Sequence, residues 1–178
     1  MQQHFNKFIG QRLLLVMPDN KGIRSDLANI KDIKVKRKIP DTLIVMVEMS
    51  KPKVAIQNEG QQAGKFLLVD ISGNIVGQAN QTSLPKIMVE KNDQLNSWLI
   101  QLVDLLSRSF GTDKISIFRL NGNGLSFQLD GAEIILPTTD KDSQLLVGSL
   151  QLVMKRFTMD SKQPVKIDLR FKNPVVTF

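Results

Sequence analysis

Residues 115–136 restrict the fold most strongly, because apolar side chains alternate there across three short runs separated by turn sequences. The runs are 115–120, 125–129 and 133–136, and the turns contain Asn121-Gly122 and Asp130-Gly131. Asn-Gly and Asp-Gly between alternating runs are strong hairpin signals, because these residues tolerate the positive φ angles of a tight turn. The segment therefore predicts a three-stranded antiparallel meander.

Two amphipathic helices are predicted, one before and one after this meander in the sequence. Residues 93–110 place leucines and Trp98 on one broad apolar stripe, with Asn92 or Asp93 as the expected N-cap and Gly111 as the end. Residues 142–159 repeat apolar residues every three to four positions. Short extended runs are predicted at 54–57, 66–69, 75–76 and 87–89. These elements predict an α+β fold with a mostly antiparallel β domain and two helices.

The C-terminal segment is predicted to form an exposed sheet edge. Val165, Ile167, Leu169 and Phe171 alternate with polar residues, which is typical of a half-buried strand. Pro174 then interrupts the pattern before a short final strand at 175–178. Because proline in sheets is largely confined to edges and bulges, we expect this end of the sheet to be open to pairing with another chain.

The first third of the chain predicts a smaller unit of helix, strand, turn and strand. Residues 22–30 have helical spacing, 33–39 alternate, Pro40-Asp41 signals a turn and 42–49 are rich in β-forming residues. Pro52 then marks a boundary. We therefore expect two domains, at residues 1–51 and 52–178.

Positive charge is concentrated in this first third. The chain has a net charge of +7, and residues 1–55 hold 11 Lys and Arg against 5 Asp and Glu. Lys34, Lys36 and Lys38 would share one strand face. Such a face could contact an anionic membrane surface, a wall polymer or nucleic acid, or could simply be solvated. No aromatic residues interleave with these lysines, as base stacking would require, so nucleic acid is the weaker candidate.

Residues suited to catalysis are scarce. His4 is the single histidine and there is no cysteine. Residues 60–65 (GQQAGK) resemble a phosphate-binding loop, but three residues instead of four separate the glycines, and Phe66 replaces the Ser or Thr that would bind magnesium. Asp140 and Asp142 lack the glutamate that closes a calcium loop and fit a helix start better. We therefore expect no enzymatic activity, metal site or cofactor.

Five segments together resemble the FtsQ/DivIB family of bacterial cell-division proteins. Residues 35–43 (VKRKIPDTL) resemble its V-x-R-x-x-P-x-T-L segment, and Val54-Ala55 resembles the P-V-A that follows. Residues 68–73 (LVDISG) resemble L-V-D-x-x-G, residues 84–87 (LPKI) resemble L-P-x-I, and residues 167–171 (IDLRF) resemble the terminal I-D-L-R-[FY]. The segments occur in the family's order.

The resemblance implies a POTRA-like unit, here truncated, followed by a β domain, both outside the cytoplasm and held by a single membrane helix. We expect that helix upstream of this chain, since the longest apolar run near the start, 13–17, is too short to span a bilayer. The link after Glu48 is longer than the family's usual Glu-Arg-x-Pro-Val, so the relative orientation of the domains stays open.

The function that the resemblance implies is a non-enzymatic scaffold that recruits FtsB/DivIC-like and FtsL-like division proteins. Strand addition at the C-terminal edge would bring a partner against five residues: Arg170, Phe171, Lys172, Val175 and Val176. Two alternatives stay open at this point. One is a basic nucleic-acid-binding module, and the other is a POTRA-type secretion or chaperone adaptor, although such adaptors normally repeat the POTRA unit.

Overall fold

A computed structural model describes residues 30–38, 42–58, 64–90, 95–122, 124–138, 142–160 and 163–178. The chain divides into two compact units, residues 1–51 and 52–178. In the first unit, β1 (Ile30–Lys38) and β2 (Thr42–Met49) form an antiparallel pair in which Val35 lies opposite Val45. The strand of the first unit that was predicted at 33–39 therefore begins earlier, at Ile30. The preceding helix was predicted to include Ile30, which is wrong because Ile30 begins β1. The rest of that helix, 22–29, and the Pro40-Asp41 turn lie outside the described residues.

In its described residues, the second unit contains a nine-stranded sheet and two helices. Its strands are β3 (Val54–Asn58), β4 (Phe66–Val69), β5 (Ile75–Ala79), β6 (Lys86–Val89), β7 (Ile117–Asn121), β8 (Gly124–Leu129), β9 (Ala132–Leu136), β10 (Lys166–Asp168) and β11 (Val175–Thr177). Helix α1 spans Ser97–Phe110 and helix α2 spans Ser143–Met159. The strands lie in the order β11-β10-β9-β8-β7-β6-β3-β4-β5. The predicted α+β class and the meander β7-β8-β9 are confirmed.

Three strand pairs in this sheet are parallel, namely β3 with β6, β6 with β7 and β9 with β10. Parallel neighbours need a long crossover, usually a helix. Helix α1 connects β6 to β7, and α2 connects β9 to β10. The other five pairs are antiparallel, so the predicted predominance of antiparallel pairing is also confirmed.

The ends of both helices follow from side-chain and backbone capping. Asn96 caps α1, since its Oδ1 accepts a hydrogen bond from the Leu99 amide at 2.8 Å. The prediction of Asn92 or Asp93 as the N-cap is therefore wrong. Gly111 ends α1 as predicted, with a φ of 94° that glycine adopts without steric cost. Asp142 caps α2 by accepting from the amides of Gln144 and Leu145.

Alternate residues of the strands join the buried faces of α1 and α2 in one hydrophobic cluster. Leu102 of α1, Leu150 of α2 and Phe118 of β7 are all fully buried within it. The Phe118 and Phe127 rings pack with their centroids 5.1 Å apart, across the β7-β8 pair. The strand residues between these buried positions, such as Arg119 and Gln128, are exposed on the opposite face. The helices therefore pack on one face of the sheet.

Candidate partner-binding edge

The chain turns sharply between β10 and β11, where the sequence predicted one strand through Phe171. Strand β10 ends at Asp168, although the Leu169 amide still donates to the Ile135 carbonyl of β9 at 2.8 Å. The Asp168 Oδ1 accepts a hydrogen bond from the Arg170 amide at 3.0 Å. An aspartate that accepts from the amide two residues later stabilises a turn instead of an extended chain. The prediction that Arg170, Phe171 and Lys172 belong to a strand is therefore wrong, and all three lie in the bend.

Arg170 also holds Asp168 through its side chain. Its Nε lies 3.0 and 3.1 Å from the two carboxylate oxygens of Asp168, and its Nη2 lies 2.6 Å from Oδ2. The Asp168 side chain is only 9% exposed. Hydrogen bonds and the positive charge of Arg170 hold the pKa of Asp168 below its usual value, against the opposing effect of burial. The Nε and Nη2 groups of Arg170, which could otherwise bind a partner's carboxylate, thus bond to Asp168 of the same chain. A direct role for Arg170 in partner binding stays a prediction.

Strand β11 is the outermost strand at one margin of the sheet in the part of the chain that the structure describes. Its register places Thr177 opposite Lys166 and Val175 opposite Asp168. The Val165 amide also donates to the Thr177 carbonyl, at 2.8 Å. Val165 and Lys166 thus both lie opposite Thr177. Two residues opposite a single residue of the next strand make a β-bulge, which bends the strand and increases its twist.

The direction of each backbone group in β11 follows from this register. The N–H and C=O of one strand residue point to the same side, and the side alternates along the strand. Since the Thr177 carbonyl accepts from Val165, the backbone groups of Thr177 and Val175 point toward β10. Those of Val176 therefore point outward from the sheet. Val175 and Val176 were both predicted to contact a partner. The sequence pattern could not show which of them directs its backbone outward, because that depends on the bulge.

Exposed apolar side chains surround this outward-facing backbone. Phe171 is 58% exposed, Val175 51% and Phe178 64%. Val176, by contrast, is half-buried and packs against the core. Phe171 lies beneath the guanidinium of Arg170, 5.8 Å from ring centroid to Cζ, and Lys172 is exposed beside it. The edge thus combines a strand that is outermost among the described residues with exposed apolar side chains.

Two of the exposed apolar residues at this edge were missed by the sequence analysis. Val165 is 61% exposed, because the bulge removes it from the alternation that predicted it beside Ile167 in the core. The Phe178 ring packs edge-on against Phe157 of α2, with centroids 5.6 Å apart, and most of its surface stays accessible. Phe178 could have been predicted as part of the edge, because it is an aromatic residue directly after the short final strand.

The three lysines named from the sequence lie together on one face of the first unit. Lys34, Lys36 and Lys38 alternate along β1 and are all exposed. The residues opposite Lys34 and Lys36 are Met46 and Ile44, each 40% exposed. Lys34 lies 3.8 Å from Asp32, as measured between Nζ and Oδ2. This face, termed here the lysine face, therefore mixes positive charge with accessible apolar surface.

Within the described ranges, no three acidic or histidine side chains converge as a metal site would require. None of the described helices has the length and apolar composition needed to cross a membrane.

Known proteins similar to this chain point to bacterial cell division. The chain is 29% identical over 122 residues to the protein described as cell division protein FtsQ in two strains of Caulobacter vibrioides. The match covers 66% of this chain and 38% of each relative, so the chain spans well under half of their length. No family model matches the chain.

Proposed function

We propose that this chain is the extracytoplasmic part of an FtsQ-type division scaffold and that β11 receives a strand from another division protein. The similarity to FtsQ supports a role in cell division. The observation that carries the binding mechanism is the outer position of β11, with the Val176 backbone directed away from the sheet. The partner expected from the family resemblance is an FtsB/DivIC-like protein, with an FtsL-like protein in the same assembly.

The backbone of so short an edge provides only part of the affinity. Val176 offers one donor and one acceptor, and each hydrogen bond contributes a net of about 1 kcal/mol. Micromolar binding requires about 8 kcal/mol. Apolar contacts must therefore supply most of the free energy, and the exposed side chains of Phe171, Val175 and Phe178 are placed to do so. An edge of this kind selects a partner whose added strand carries apolar residues.

The decisive variant is Val176→Pro. Proline removes the amide that points outward, while the bonds of Val175 and Thr177 to β10 are retained. Val176→Ala is the matched control, since it trims the same side chain but keeps the amide. Isothermal titration with the soluble segment of the FtsB/DivIC-like protein from the same organism would compare them. We expect Val176→Pro to weaken binding about fivefold more than Val176→Ala does, an extra loss of about 1 kcal/mol.

Circular dichroism must accompany this titration, because a change in β11 could also disturb the fold. Both variants should retain the wild-type spectrum and unfold within a few degrees of the wild type. A folded Val176→Pro variant that binds as tightly as Val176→Ala would refute strand addition at β11. It would leave the similarity to FtsQ untouched.

A second contact is proposed for the lysine face. Three exposed lysines flanked by Ile44 and Met46 resemble the surface of a peripheral segment at an anionic membrane. Each lysine near such a surface contributes about 1 kcal/mol. An anionic wall polymer would provide the same electrostatic attraction but no layer for the apolar side chains, so the membrane is the better match.

A further inference from the structure

Helix α2 carries a stripe of exposed apolar residues on the side opposite its buried face. Leu145 is 69% exposed, Leu152 71% and Met159 76%, whereas Leu146 and Leu150 are buried against the core. The three exposed residues recur every seven positions, so they lie in one row along the helix. This spacing is typical of a helix that packs against a second helix.

Small residues lie between the two leucines of this row. Gly148 and Ser149 leave a shallow concavity of about 470 Å³, bordered by Leu145, Leu152, the glutamines at 144 and 151, and Lys155. A Cβ atom at Gly148 would meet no atom within 4 Å. Glycine in a helix costs about 1 kcal/mol relative to alanine, and no contact within the described residues accounts for it here. A small residue at this position is explained if another helix approaches closely.

Two residues of opposite charge, Asp142 and Arg156, lie at equal distances from Ser149 along α2, whereas Lys155 and Asp160 have no charged counterpart. Asp142 lies seven residues before Ser149 and Arg156 seven residues after it, so all three lie on one flank of the stripe. A two-fold axis perpendicular to the helix at Ser149 would place Asp142 of one copy opposite Arg156 of the other, twice. The same axis would place Leu145 beside Leu152 of the second copy. A parallel arrangement would instead bring like charges to the same level.

The N-terminal cap is compatible with this ion pair. The two capping bonds of Asp142 use Oδ1, and no other described residue bonds to Oδ2, so Oδ2 can accept from a guanidinium. Asp142 and Arg156 are both exposed. The apolar stripe, the small residues and the charges are therefore complementary to one partner of known chemistry, which is the same helix running in the opposite direction.

We propose that two copies of this chain associate through antiparallel α2 helices centred on Ser149. One pair of 17-residue helices buries less area than the roughly 1,200–2,000 Å² of a stable interface, so the association is weak. It uses α2 and not β11, and it stands independently of the proposed strand addition.

Sedimentation equilibrium of the chain from micromolar to millimolar concentration tests the proposal. We expect a reversible monomer–dimer equilibrium in the wild type. Leu152→Glu should abolish the dimer without lowering stability, because Leu152 is already exposed to solvent. Ile75→Glu is the matched control, since it changes a 51% exposed apolar residue on β5 in the same way and should leave the dimer intact.

Charge reversal then tests the orientation of the two helices. Arg156→Asp would face Asp142 of the second copy and should weaken association about tenfold, because the two-fold axis repeats the repulsion. Adding Asp142→Asn should recover part of that loss, because asparagine keeps the N-cap but removes the repelling charge. A wild type that stays monomeric at millimolar concentration would overturn the proposal. So would a dimer that tolerates Leu152→Glu or Arg156→Asp.

Discussion

Replacing Leu150 by alanine tests whether the buried and exposed faces of α2 lie as described. Leu150 is fully buried in the core cluster. The substitution removes three carbon groups, which corresponds to about 2.4 kcal/mol of transfer free energy at about 0.8 kcal/mol for each group. The cavity left behind adds to this loss, and buried leucine-to-alanine changes cost about 2.7–5 kcal/mol in all. We expect a loss of about 3 kcal/mol.

Urea denaturation monitored by tryptophan fluorescence is the appropriate assay. Trp98 is the single tryptophan of the chain and packs against the core from α1, so its emission reports on the second unit. With a urea dependence of about 2 kcal/mol per molar, a loss of 3 kcal/mol lowers the midpoint by about 1.5 M.

The matched control is Leu152→Ala on the same helix. Leu152 is 71% exposed, so the same chemical change should alter the free energy of unfolding by no more than about 0.5 kcal/mol. The assay must be run at low protein concentration, where the proposed dimer is dissociated. Equal losses at the two positions, or a loss at Leu152 greater than at Leu150, would show that α2 is rotated relative to this description. The proposed dimer would then lose its basis too.

Two further predictions concern the charged groups. Arg170→Gln should raise the pKa of Asp168, so the variant should be less stable than the wild type above about pH 4. This difference in stability should shrink as the pH falls through the lowered pKa of the wild-type carboxyl. Thermal unfolding of both proteins across pH measures it. A difference that is constant with pH would contradict that pairing. Changing Lys34, Lys36 and Lys38 together to glutamate should abolish co-sedimentation with anionic vesicles, which should also weaken as salt rises. Binding that is insensitive to both salt and the triple change would count against the lysine face.

The local elements of the fold could be predicted from the sequence because their signals are local. The second turn of the meander, between β8 and β9, contains Asp130 and Gly131, and both adopt the positive φ angles expected of that dipeptide, 48° and 88°. Helix α1 ends at Gly111 and α2 begins after Asp142, each for a capping reason visible in the sequence. The N-cap at Asn96 was missed because residues 91–96 offer several asparagine and aspartate side chains of similar capping ability.

The arrangement of the strands could not be predicted in the same way. Insertion of β3 between β4 and β6 joins residues such as Ala55 and Lys86, which lie far apart in the chain. Alternation gives the face of a strand but not its neighbour. The C-terminal bend was missed for a related reason. The alternation of apolar residues continues through Leu169 and Phe171, but the chain bends because the carboxylate of Asp168 accepts a hydrogen bond from the Arg170 amide. A side chain that bonds to the backbone can end a strand without changing its hydrophobic pattern.

Several residues that carry the family resemblance stabilise turns in the structure. Asp70 of the 68–73 segment accepts hydrogen bonds from the amides of Ser72 and Asn74, each at 2.9 Å, and Gly73 has a φ of 92°. Asp168 of the 167–171 segment holds the bend before β11 in the same manner. These residues stabilise the turns that connect the strands, and the exposed surface of the sheet edge is formed by other residues.

The exposed groups of the edge lie mostly outside those segments. Val175, Val176 and Phe178 follow the last of them, and of the five proposed binding residues only Arg170 and Phe171 fall within it. If a strand adds at β11 as proposed, the side chains beside it would select the partner, so turn-forming residues could be retained while the partner changes. Exchanging residues 175–178 for those of a relative should therefore change the choice of partner without altering the fold. Exchanging 167–171 should also leave the fold unchanged, and should alter binding only through the exposed side chain of Phe171.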